Sequence, residues 1–446
     1  MLTLFILAII SIIVYYCAPM SYSYEYTLVC LTLFIISSVV VLKRNCRDTI
    51  IRFEFFFLIS FFFTYYLYSL VYYPENPYFS LFTLTFNESY ITKGLALATV
   101  GCCFFNFAIY EKRKNNLRID TLYNKRQQKP RTLLILLFFV FLPYLLSLAL
   151  QREYTTAFED SYVNVVLQYV IYYYIYVSFY NISKFPNIVA LIKEFGVLPL
   201  ILLSTYVLLF LIIGSRTIPM RIILFTLIIY NIYYRKISKK IVLPIGIMAM
   251  FFMAFIGVNR TGYAIGTGSA WDFAVELVIN NRSLYVLMEY YDQFGATMGR
   301  TLLMNILSMI PFAQSVFLKI FGWSENDISS ASMITHLYYK DVADYEKMIG
   351  LGTNIIGDIY VSFGFVGVVV LMYFFGRFLK RLYNRSYDNK NYVLIYSIIF
   401  MDAIYMTRSS LLVSLRAIVW VLAIMYISNR IILHNNKIPT KRDKMK

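Results

Sequence analysis

Apolar residues recur along the chain in twelve runs, each close to the length of a membrane-spanning helix. The runs lie at residues 2–20, 27–42, 53–71, 93–110, 132–150, 163–180, 197–213, 218–234, 241–257, 362–376, 392–407 and 410–428. A bilayer core requires roughly 20 consecutive apolar residues, whereas the helices of a soluble core are amphipathic. The pattern therefore predicts an all-α, polytopic integral membrane protein with about 12 transmembrane helices.

A single long segment, residues 258–363, separates the ninth apolar run from the tenth. Long connections within a compact domain usually carry function, so we expect the functional site in or beside this segment. The first run, Leu2–Met20, has no basic stretch before it and no small-residue cleavage site ahead of Ser21, which favours a retained span over a signal peptide. We predict one integral membrane domain over residues 1–446, with 258–363 as its large outer (periplasmic) loop, partly helical.

Basic residues are concentrated on one side of the predicted bundle. With the amino terminus placed inside, the inner segments hold 29 of the 41 Lys and Arg residues but only six of the 24 acidic residues; these segments are 43–52, 111–131, 181–196, 235–240, 377–391 and 429–446. The positive-inside rule then predicts that both termini are cytoplasmic, in a bacterial cytoplasmic (inner) membrane. Because the net charge of +17 borders the membrane, we expect membrane lipid, and no nucleic acid, as its partner.

Cysteine and acidic residues offer little to a metal ion. The five cysteines show neither a Cys-x-x-Cys spacing nor a histidine at ligand spacing; they are Cys17, Cys30, Cys46, Cys102 and Cys103. We therefore expect no disulfide and no structural zinc. Asp341 and Asp344 form only an isolated D-x-x-D motif, which gives metal catalysis little support. The sequence predicts no metal site and no cofactor.

Arginine outnumbers lysine away from the inner segments. Eight arginines and four lysines lie there, and the arginines are Arg152, Arg216, Arg221, Arg260, Arg282, Arg300, Arg408 and Arg416. A guanidinium binds phosphate oxygens through two parallel hydrogen bonds and stays charged in a poorly hydrated site. The excess favours a phosphorylated ligand, while ordinary ion pairs with acidic residues are the alternative.

Three of these arginines lie at depths where an isolated charge is unfavourable. Arg216 occupies a GSRT turn between two short apolar runs, and Arg416 lies inside the last run, eight residues after Arg408. On one continuous helix that separation corresponds to about 800° of rotation, which is two full turns plus about 80°. Both side chains could therefore face a single cavity. We expect these arginines to line a polar cavity, with Asp402 as an alternative, structural partner for one of them.

The long loop holds the remaining candidates for chemistry. Arg260, Arg282 and Arg300 mark its start and middle, and each suits either phosphate binding or a contact with lipid headgroups. His336 is the only histidine of the loop, and Asp358 precedes the tenth apolar run. Either residue could act as a general base, and a structural role is the alternative for both.

Two helical elements are predicted within the same loop. Residues Trp271–Asp292 place apolar side chains on one helical face beside a polar stripe, which predicts an amphipathic helix lying on the membrane surface. The apolar stretch Thr301–Phe321 is interrupted by Pro311, which is typical of a re-entrant or interfacial hairpin.

Several short motifs, together with this architecture, carry a family resemblance. The motifs are Gly214–Thr217 (GSRT), Asn259–Thr261, Arg282, Gly350–Gly364 (GLGTNIIGDIYVSFG) and the Arg408 to Arg416 pair in TRSSLLVSLR. With these motifs, the chain resembles the Wzy family of O-antigen and oligosaccharide repeat-unit polymerases. It is also similar to the enterobacterial common antigen polymerases.

The resemblance implies a glycosyltransferase that works at the outer face of the membrane. The implied reaction transfers a glycan from undecaprenyl diphosphate to the non-reducing end of a lipid-linked repeat unit, without a metal. His336 or Asp358 would be the catalytic base, and the arginines that would bind the substrate diphosphate are Arg216, Arg260, Arg282, Arg300, Arg408 and Arg416. The implied partners are undecaprenyl-diphosphate-linked oligosaccharides and a chain-length regulator of the Wzz type.

Three other functions stay open at this point. An O-antigen ligase would have similar helices and arginines and would use the same donor with a lipid A core acceptor. A flippase or other transporter requires a continuous polar route, whereas the charges within the spans are few and cluster near the predicted outer end. A structural partner within an envelope complex is the third alternative.

The charge bias makes a testable prediction about topology. Reporter fusions at Asn115, at Lys239 and at the carboxyl terminus should report the cytoplasm, and a fusion at Asn326 should report the exterior. A cytoplasmic signal at Asn326 would place the long loop, and every candidate within it, on the wrong side of the membrane.

Overall fold

The computed structural model describes residues 1–75, 86–111, 129–151, 161–182, 188–234, 236–242, 278–324, 329–339 and 351–435, with 244, 246 and 248 singly. Within these ranges the regular secondary structure is helical and contains no strand. The all-α prediction is confirmed at this level.

Sixteen helices of eight or more residues organise the described part of the chain. They are α1 (Leu2–Tyr16), α2 (Tyr24–Asn45), α3 (Phe53–Tyr65), α4 (Tyr90–Ile109), α5 (Arg131–Gln151), α6 (Tyr162–Asn181), α7 (Ile188–Phe195), α8 (Val197–Ile213), α9 (Thr217–Tyr233), α10 (Arg282–Phe294), α11 (Arg300–Leu307), α12 (Ala313–Phe321), α13 (Ser330–Tyr339), α14 (Ile355–Arg385), α15 (Lys390–Met401) and α16 (Leu415–Asn435). A π-helical turn, Tyr68–Tyr72, continues α3, and 3-10 turns form at Ile279–Asn281 and Met406–Arg408.

Eleven of the twelve predicted apolar runs coincide with helices, and most of the remaining run, 241–257, lies outside the described residues. Five helical segments in the described part are long and apolar enough to cross a membrane; they are Tyr24–Asn45, Phe53–Tyr72, Tyr90–Ile109, Arg131–Leu150 and Ile355–Arg385. A sixth is added if α7 and α8, which meet at 88°, form one broken span. The structure is therefore consistent with a membrane protein, and the count of twelve spans stays a prediction.

The centre of the bundle is the contact between α4 and α14. Nearly every residue of α4 is buried, because α1, α2 and α14 pack around it. Gly376 of α14 approaches α4 so closely that a Cβ atom would lie 2.7 Å from the carbonyl oxygen of Phe105 and 3.0 Å from the Cβ of Ala108. Glycine at position 376 thus sets the distance between the two central helices.

A buried ionic network joins the ends of α2, α3, α4 and α14. Arg52 forms ion pairs with Glu54 (Nε to Oε1, 2.8 Å) and Glu111 (Nη2 to Oε1, 2.8 Å), and its Nη1 donates to the carbonyl oxygen of Asn45 at 2.9 Å. The guanidinium carbon also lies 4.0 Å from the centroid of the Tyr383 ring. Burial opposes the charged form, but the two carboxylates outweigh it and hold the pKa of Arg52 above its usual value.

The predicted surface helix over Trp271–Asp292 is not observed in that position. The described part begins with the 3-10 turn Ile279–Asn281 and continues as α10, whereas residues 271–277 lie outside the described residues. Every residue from Arg282 to Met288 is buried, because α10 packs between α4 and α14. The prediction of a helix lying on the membrane surface was therefore wrong for this part, since neighbouring helices cover the polar stripe as well as the apolar face.

Helix α14 contains a break at Gly364. This residue has φ 64° and ψ −158°, a backbone conformation that residues other than glycine rarely adopt. A Cβ atom there would also lie 2.5 Å from the hydroxyl oxygen of Tyr291. The break separates a short amino-terminal segment, which carries Asp358, from the long apolar remainder of the helix.

The predicted break at Pro311 appears as a turn between α11 and α12. The amide of Gln314 donates to the carbonyl oxygen of Met304 at 2.9 Å, which folds the two helices into a hairpin. The indole N–H of Trp420 in α16 donates to the carbonyl oxygen of Met309 at 3.0 Å, so the turn is fixed to the bundle. The interfacial position of this hairpin stays a prediction.

The five cysteines are all free thiols. Cys17 is exposed, and the other four are buried; these are Cys30, Cys46, Cys102 and Cys103.

The close approach of α4 and α14 predicts a strong effect of one added methyl group. Gly376→Ala should destabilise the folded protein by about 1–3 kcal/mol, because the obstructing atoms belong to the backbone of α4. The melting temperature in detergent and the amount of protein in the membrane would both fall. Gly246→Ala is the matched control, since nothing lies within 4 Å of its Cβ position. Equal melting of the two variants would contradict this packing.

Candidate functional site

The candidate site lies at a break in helical structure between α15 and α16. Helix α15 ends at Met401 and α16 begins at Leu415; between them the chain forms turns around the 3-10 turn Met406–Arg408. The sequence-based argument that Arg408 and Arg416 share one continuous helix was therefore wrong. Arg408 nevertheless lies within the break, and Arg416 lies directly after it, in the first turn of α16.

Helix α3 supplies hydrogen bonds to the backbone of this break. The hydroxyl of Ser60 donates to the carbonyl oxygen of Ile404 at 2.6 Å, and the hydroxyl of Tyr65 donates to the carbonyl oxygen of Thr407 at 3.4 Å. The Thr407 hydroxyl is 2.7 Å from the hydroxyl of Ser60 and 3.2 Å from that of Thr64. Polar side chains of α3 thus stabilise a non-helical segment within an apolar bundle.

An ion pair joins the break to α9. Arg221 Nε lies 2.6 Å from Asp402 Oδ1, and the hydroxyl of Ser414 donates to Asp402 Oδ2 at 2.7 Å. Asp402, the first residue of the break, is therefore bound by α9 and by Ser414, the last residue of the break. The sequence analysis considered Asp402 as a partner for Arg408 or Arg416, but its ion pair is with Arg221, which had been counted and not selected.

Asp358 lies at the centre of a group of buried hydroxyls. Its side chain is 0% exposed, and its Oδ1 accepts hydrogen bonds from the hydroxyls of Thr301 (3.0 Å) and Ser330 (2.8 Å). The backbone N–H of Leu411, in the break, lies near the same carboxyl group. Among the described residues, Oδ2 has no hydrogen-bond partner. One oxygen is thus fixed by donors while the other keeps its capacity to accept a proton.

Further hydroxyls hold these donors in place. The Thr301 hydroxyl lies 3.0 Å from that of Ser362, and the Ser330 hydroxyl lies 2.9 Å from that of Thr353. All four hydroxyl groups belong to buried residues. They come from α11, α13, α14 and the segment just before α14, so the orientation of Asp358 depends on the packing of these elements.

Tyr65 brings two of the candidate arginines into one region. Asn281, immediately before Arg282, donates its side-chain amide to the carbonyl oxygen of Tyr65 at 3.0 Å. The Tyr65 hydroxyl donates to Asn354 Oδ1 at 3.0 Å and approaches Thr407, the residue before Arg408. The residue that precedes Arg282 and the residue that precedes Arg408 therefore both form a hydrogen bond with Tyr65. Arg282 itself is only 2% exposed.

The remaining predicted residues occupy different positions around this centre. Arg216 is half-buried directly before α9, five residues ahead of the paired Arg221. Arg300 begins α11 next to Thr301, and its guanidinium lies 4.7 Å from the centroid of the Trp323 ring. Arg260 lies outside the described residues.

His336 is half-buried on α13, six residues beyond Ser330. That separation corresponds to about 9 Å along a helix, so Ser330, and not His336, is the α13 residue at Asp358. The two proposed bases are thus not brought together by the contacts of the described residues.

Three residues that build this centre were not predicted, namely Thr301, Ser330 and Tyr65. Two more were named without their observed role: Arg221, which was not selected, and Asp402, for which a different partner was predicted. For the last two a signal existed, because opposite charges within apolar runs are unfavourable unless they pair. The hydroxyl residues carried no distinguishing spacing. In the described part of the chain, no group of three or more His, Cys, Asp or Glu side chains could hold a metal ion.

The fold and the site together define a multi-pass membrane protein with a polar centre buried among its helices. The chain belongs to the O-antigen polysaccharide polymerase Wzy family, whose model matches residues 1–436. Membership confirms the predicted resemblance, supports a polysaccharide polymerase role and implies lipid-linked oligosaccharide substrates. No curated protein and no solved structure matches the chain.

The buried ion pair predicts a specific pattern of stability. Asp402→Asn should destabilise the protein by about 3–5 kcal/mol, because it leaves the Arg221 guanidinium without its counter-charge. The double variant with Arg221→Met should recover much of this loss, as judged by the melting temperature in detergent. Asp48→Asn provides the control, since the Asp48 to Lys236 pair is much more exposed and should contribute less than about 1 kcal/mol. If Asp402→Asn melted no lower than Asp48→Asn, the ion pair would not be structurally important.

Proposed function

We propose that this chain polymerises undecaprenyl-diphosphate-linked oligosaccharide repeat units at the outer face of the bacterial cytoplasmic membrane. The product would be O-antigen or a similar surface polysaccharide. The single observation that carries this proposal is Asp358, a buried carboxylate close to a helix break that carries arginine. Hydroxyl donors fix one of its oxygens, and the other has no hydrogen-bond partner among the described residues. Family membership supports the polymerase role itself.

Asp358 is the preferred general base. In the proposed step the acceptor hydroxyl attacks the anomeric carbon of the donor glycan, and a new C–O bond forms as its proton passes to Asp358 Oδ2. The bond between the anomeric carbon and the diphosphate oxygen breaks, and undecaprenyl diphosphate leaves as an anion. Because Thr301 and Ser330 bind Oδ1, the carboxylate is already oriented. Since Asp358 is fully buried, substrate must displace a covering side chain to reach it.

The arginines would stabilise the charge that develops on the diphosphate. Arg282 and Arg408 are preferred, because the residue before each of them forms a hydrogen bond with Tyr65. Arg216, Arg300 and Arg416 would complete the electropositive surface, together with Arg260. Fixed guanidinium groups in a poorly hydrated site can stabilise a leaving diphosphate without a divalent metal.

The placement of charge favours an enzyme over a transporter. Arg221, Asp402 and Arg408 cluster with Asp358 about one helix break, whereas a flippase needs polar groups along a continuous route. The family match favours a polymerase over a ligase. A Wzz-type chain-length regulator is proposed as a protein partner, and both termini are proposed to be cytoplasmic.

An assay with purified full chain and lipid-linked repeat units tests this mechanism. Asp358→Asn should lower the polymerisation rate at least about a hundredfold, since a contact worth about 3 kcal/mol in the transition state corresponds to that factor. At one or more of Arg216, Arg408 and Arg416, Arg→Lys should fail nearly as badly as Arg→Ala, because lysine keeps the charge but loses the bidentate geometry. Activity should persist in excess chelator. Polymer length on gels and membrane abundance are measured together.

Arg430→Lys is the matched control, because Arg430 lies towards the far end of α16 and contacts the hydroxyl of Tyr426. Its polymer should be of wild-type length. Full-length polymer from Asp358→Asn would contradict the role of Asp358 as general base. Full-length polymer from all three lysine variants would contradict diphosphate binding by Arg216, Arg408 and Arg416. Loss of activity in chelator, restored by one divalent ion, would overturn metal independence. Transfer to lipid A core in place of a lipid-linked polymer would identify a ligase.

A further inference from the structure

The α11–α12 hairpin exposes apolar side chains along both of its helices and its turn. The exposed residues are Leu303, Ile306, Ile310, Phe312, Val316, Ile320 and Phe321. Its helices contain only eight and nine residues, which corresponds to about 12–14 Å each, so neither can cross a bilayer core. An apolar surface of this length suits a position at the boundary between headgroups and acyl chains.

The charge of the hairpin has a single sign. Residues 300–324 include Arg300 and Lys319 and contain no Asp or Glu. Lys319 is exposed near the end of α12 and has no ion-pair partner among the described residues. A basic segment beside apolar side chains is the pattern that binds anionic lipid headgroups.

A cleft of about 390 Å³ lies beside these cations. It is lined by Ser315, Leu318, Lys319, Gly322 and Trp323. The backbone N–H of Trp323 donates to the carbonyl oxygen of Leu318 at 3.1 Å, which holds the backbone of Trp323 against the end of α12. Among the described residues, nothing lies within 4 Å of the Cβ position of Gly322.

Contacts within the cleft distinguish phosphate from sugar as its ligand. The guanidinium of Arg300 already lies 4.7 Å from the centroid of the Trp323 ring, and the ring of Phe321 lies 5.3 Å from it on a tilted plane. With its ring already covered in this way, Trp323 offers less free aromatic surface for stacking on a pyranose. The cleft is lined instead by the ammonium of Lys319 and the hydroxyl of Ser315, which are donors to phosphate oxygens, and the Arg300 guanidinium lies beside it against Trp323.

We propose that this cleft binds the phosphate headgroup of a membrane lipid. Lys319 and Arg300 pair with the phosphate, Ser315 donates a hydrogen bond, and the lipid chain lies against the exposed apolar side chains of α12. The same phosphate chemistry occurs in anionic phospholipid and in a polyprenyl phosphate carrier. The site shares Arg300 with the proposed diphosphate-binding surface, whereas Lys319, Ser315 and the apolar side chains of α12 take no part in the proposed polymerase mechanism.

The proposed lipid site and the candidate base both contact helix α11. Arg300 immediately precedes Thr301, whose hydroxyl binds Asp358 at 3.0 Å, and the N–H of Thr297 donates to the carbonyl oxygen of Val361 at 2.9 Å. The hairpin therefore connects the lipid surface to the amino-terminal segment of α14.

Lipid binding to the purified full chain in detergent, measured by native mass spectrometry, tests the proposal. The probes are phosphatidylglycerol, a polyprenyl phosphate, and diacylglycerol with the same acyl chains as the phosphatidylglycerol. Both phosphate lipids should bind, and Lys319→Glu should weaken them by roughly tenfold or more, whereas Lys319→Arg should bind as the wild type does. Lys93→Glu is the matched control, because it makes the same charge change on a half-buried residue of α4.

The outcomes separate the source of the phosphate and the two proposals. Tighter binding of polyprenyl phosphate than of phosphatidylglycerol assigns the cleft to the carrier lipid, and equal binding assigns it to ordinary phospholipid. Equal binding of diacylglycerol, or unchanged affinity in Lys319→Glu, overturns the proposal. Asp358→Asn should still bind lipid, so failure of the polymerase mechanism would leave this result intact.

Discussion

A backbone that leaves the helix inside an apolar bundle must find a hydrogen-bond partner for each of its amide and carbonyl groups. Residues 402–414 impose this requirement here, and the side chains that meet it determine much of the centre of the molecule. Ser60 and Tyr65 approach carbonyl oxygens of the segment, and Asp402 receives Ser414 on one oxygen and Arg221 on the other. Helices α3 and α9 therefore carry polar residues on the faces that meet the break, and their apolar faces remain available to the rest of the bundle.

The same requirement explains why chemistry concentrates at this place. A segment without regular helical structure presents amide groups to its surroundings, and that of Leu411 lies near the carboxyl of Asp358. Tyr65 contacts both arginine-bearing segments, because its hydroxyl donates to the carbonyl oxygen of Thr407 and its own carbonyl oxygen accepts from the side-chain amide of Asn281. The groups that stabilise the break and the groups proposed to act on substrate are thus neighbours in one hydrogen-bonded network. Changing either set would disturb the other.

The helices could be predicted from sequence because apolar run length is a local property, and eleven of the twelve runs coincide with helices over most of their length. Partners could not be predicted, since Arg221 and Asp402 are 181 residues apart and Thr301 and Asp358 are 57 apart. The break was missed because residues 402–414 contain neither glycine nor proline, so tertiary hydrogen bonds and not local propensity decide their conformation. For α10 the sequence showed an apolar face, but no local signal indicates that α4 and α14 bury the opposite face as well.

The distribution of cysteine makes the chain suitable for site-directed spin labelling. Reagents attack the accessible thiolate, and among the five cysteines only Cys17 is exposed. Burial raises the pKa of the Cys46 thiol, which keeps that residue in its unreactive, protonated form. Replacing Cys17 alone would therefore leave little background labelling, and a cysteine introduced at Phe312 would place a nitroxide on the hairpin turn. Oxygen and nickel accessibility of that nitroxide would then give its immersion depth in a bilayer without any need for substrate.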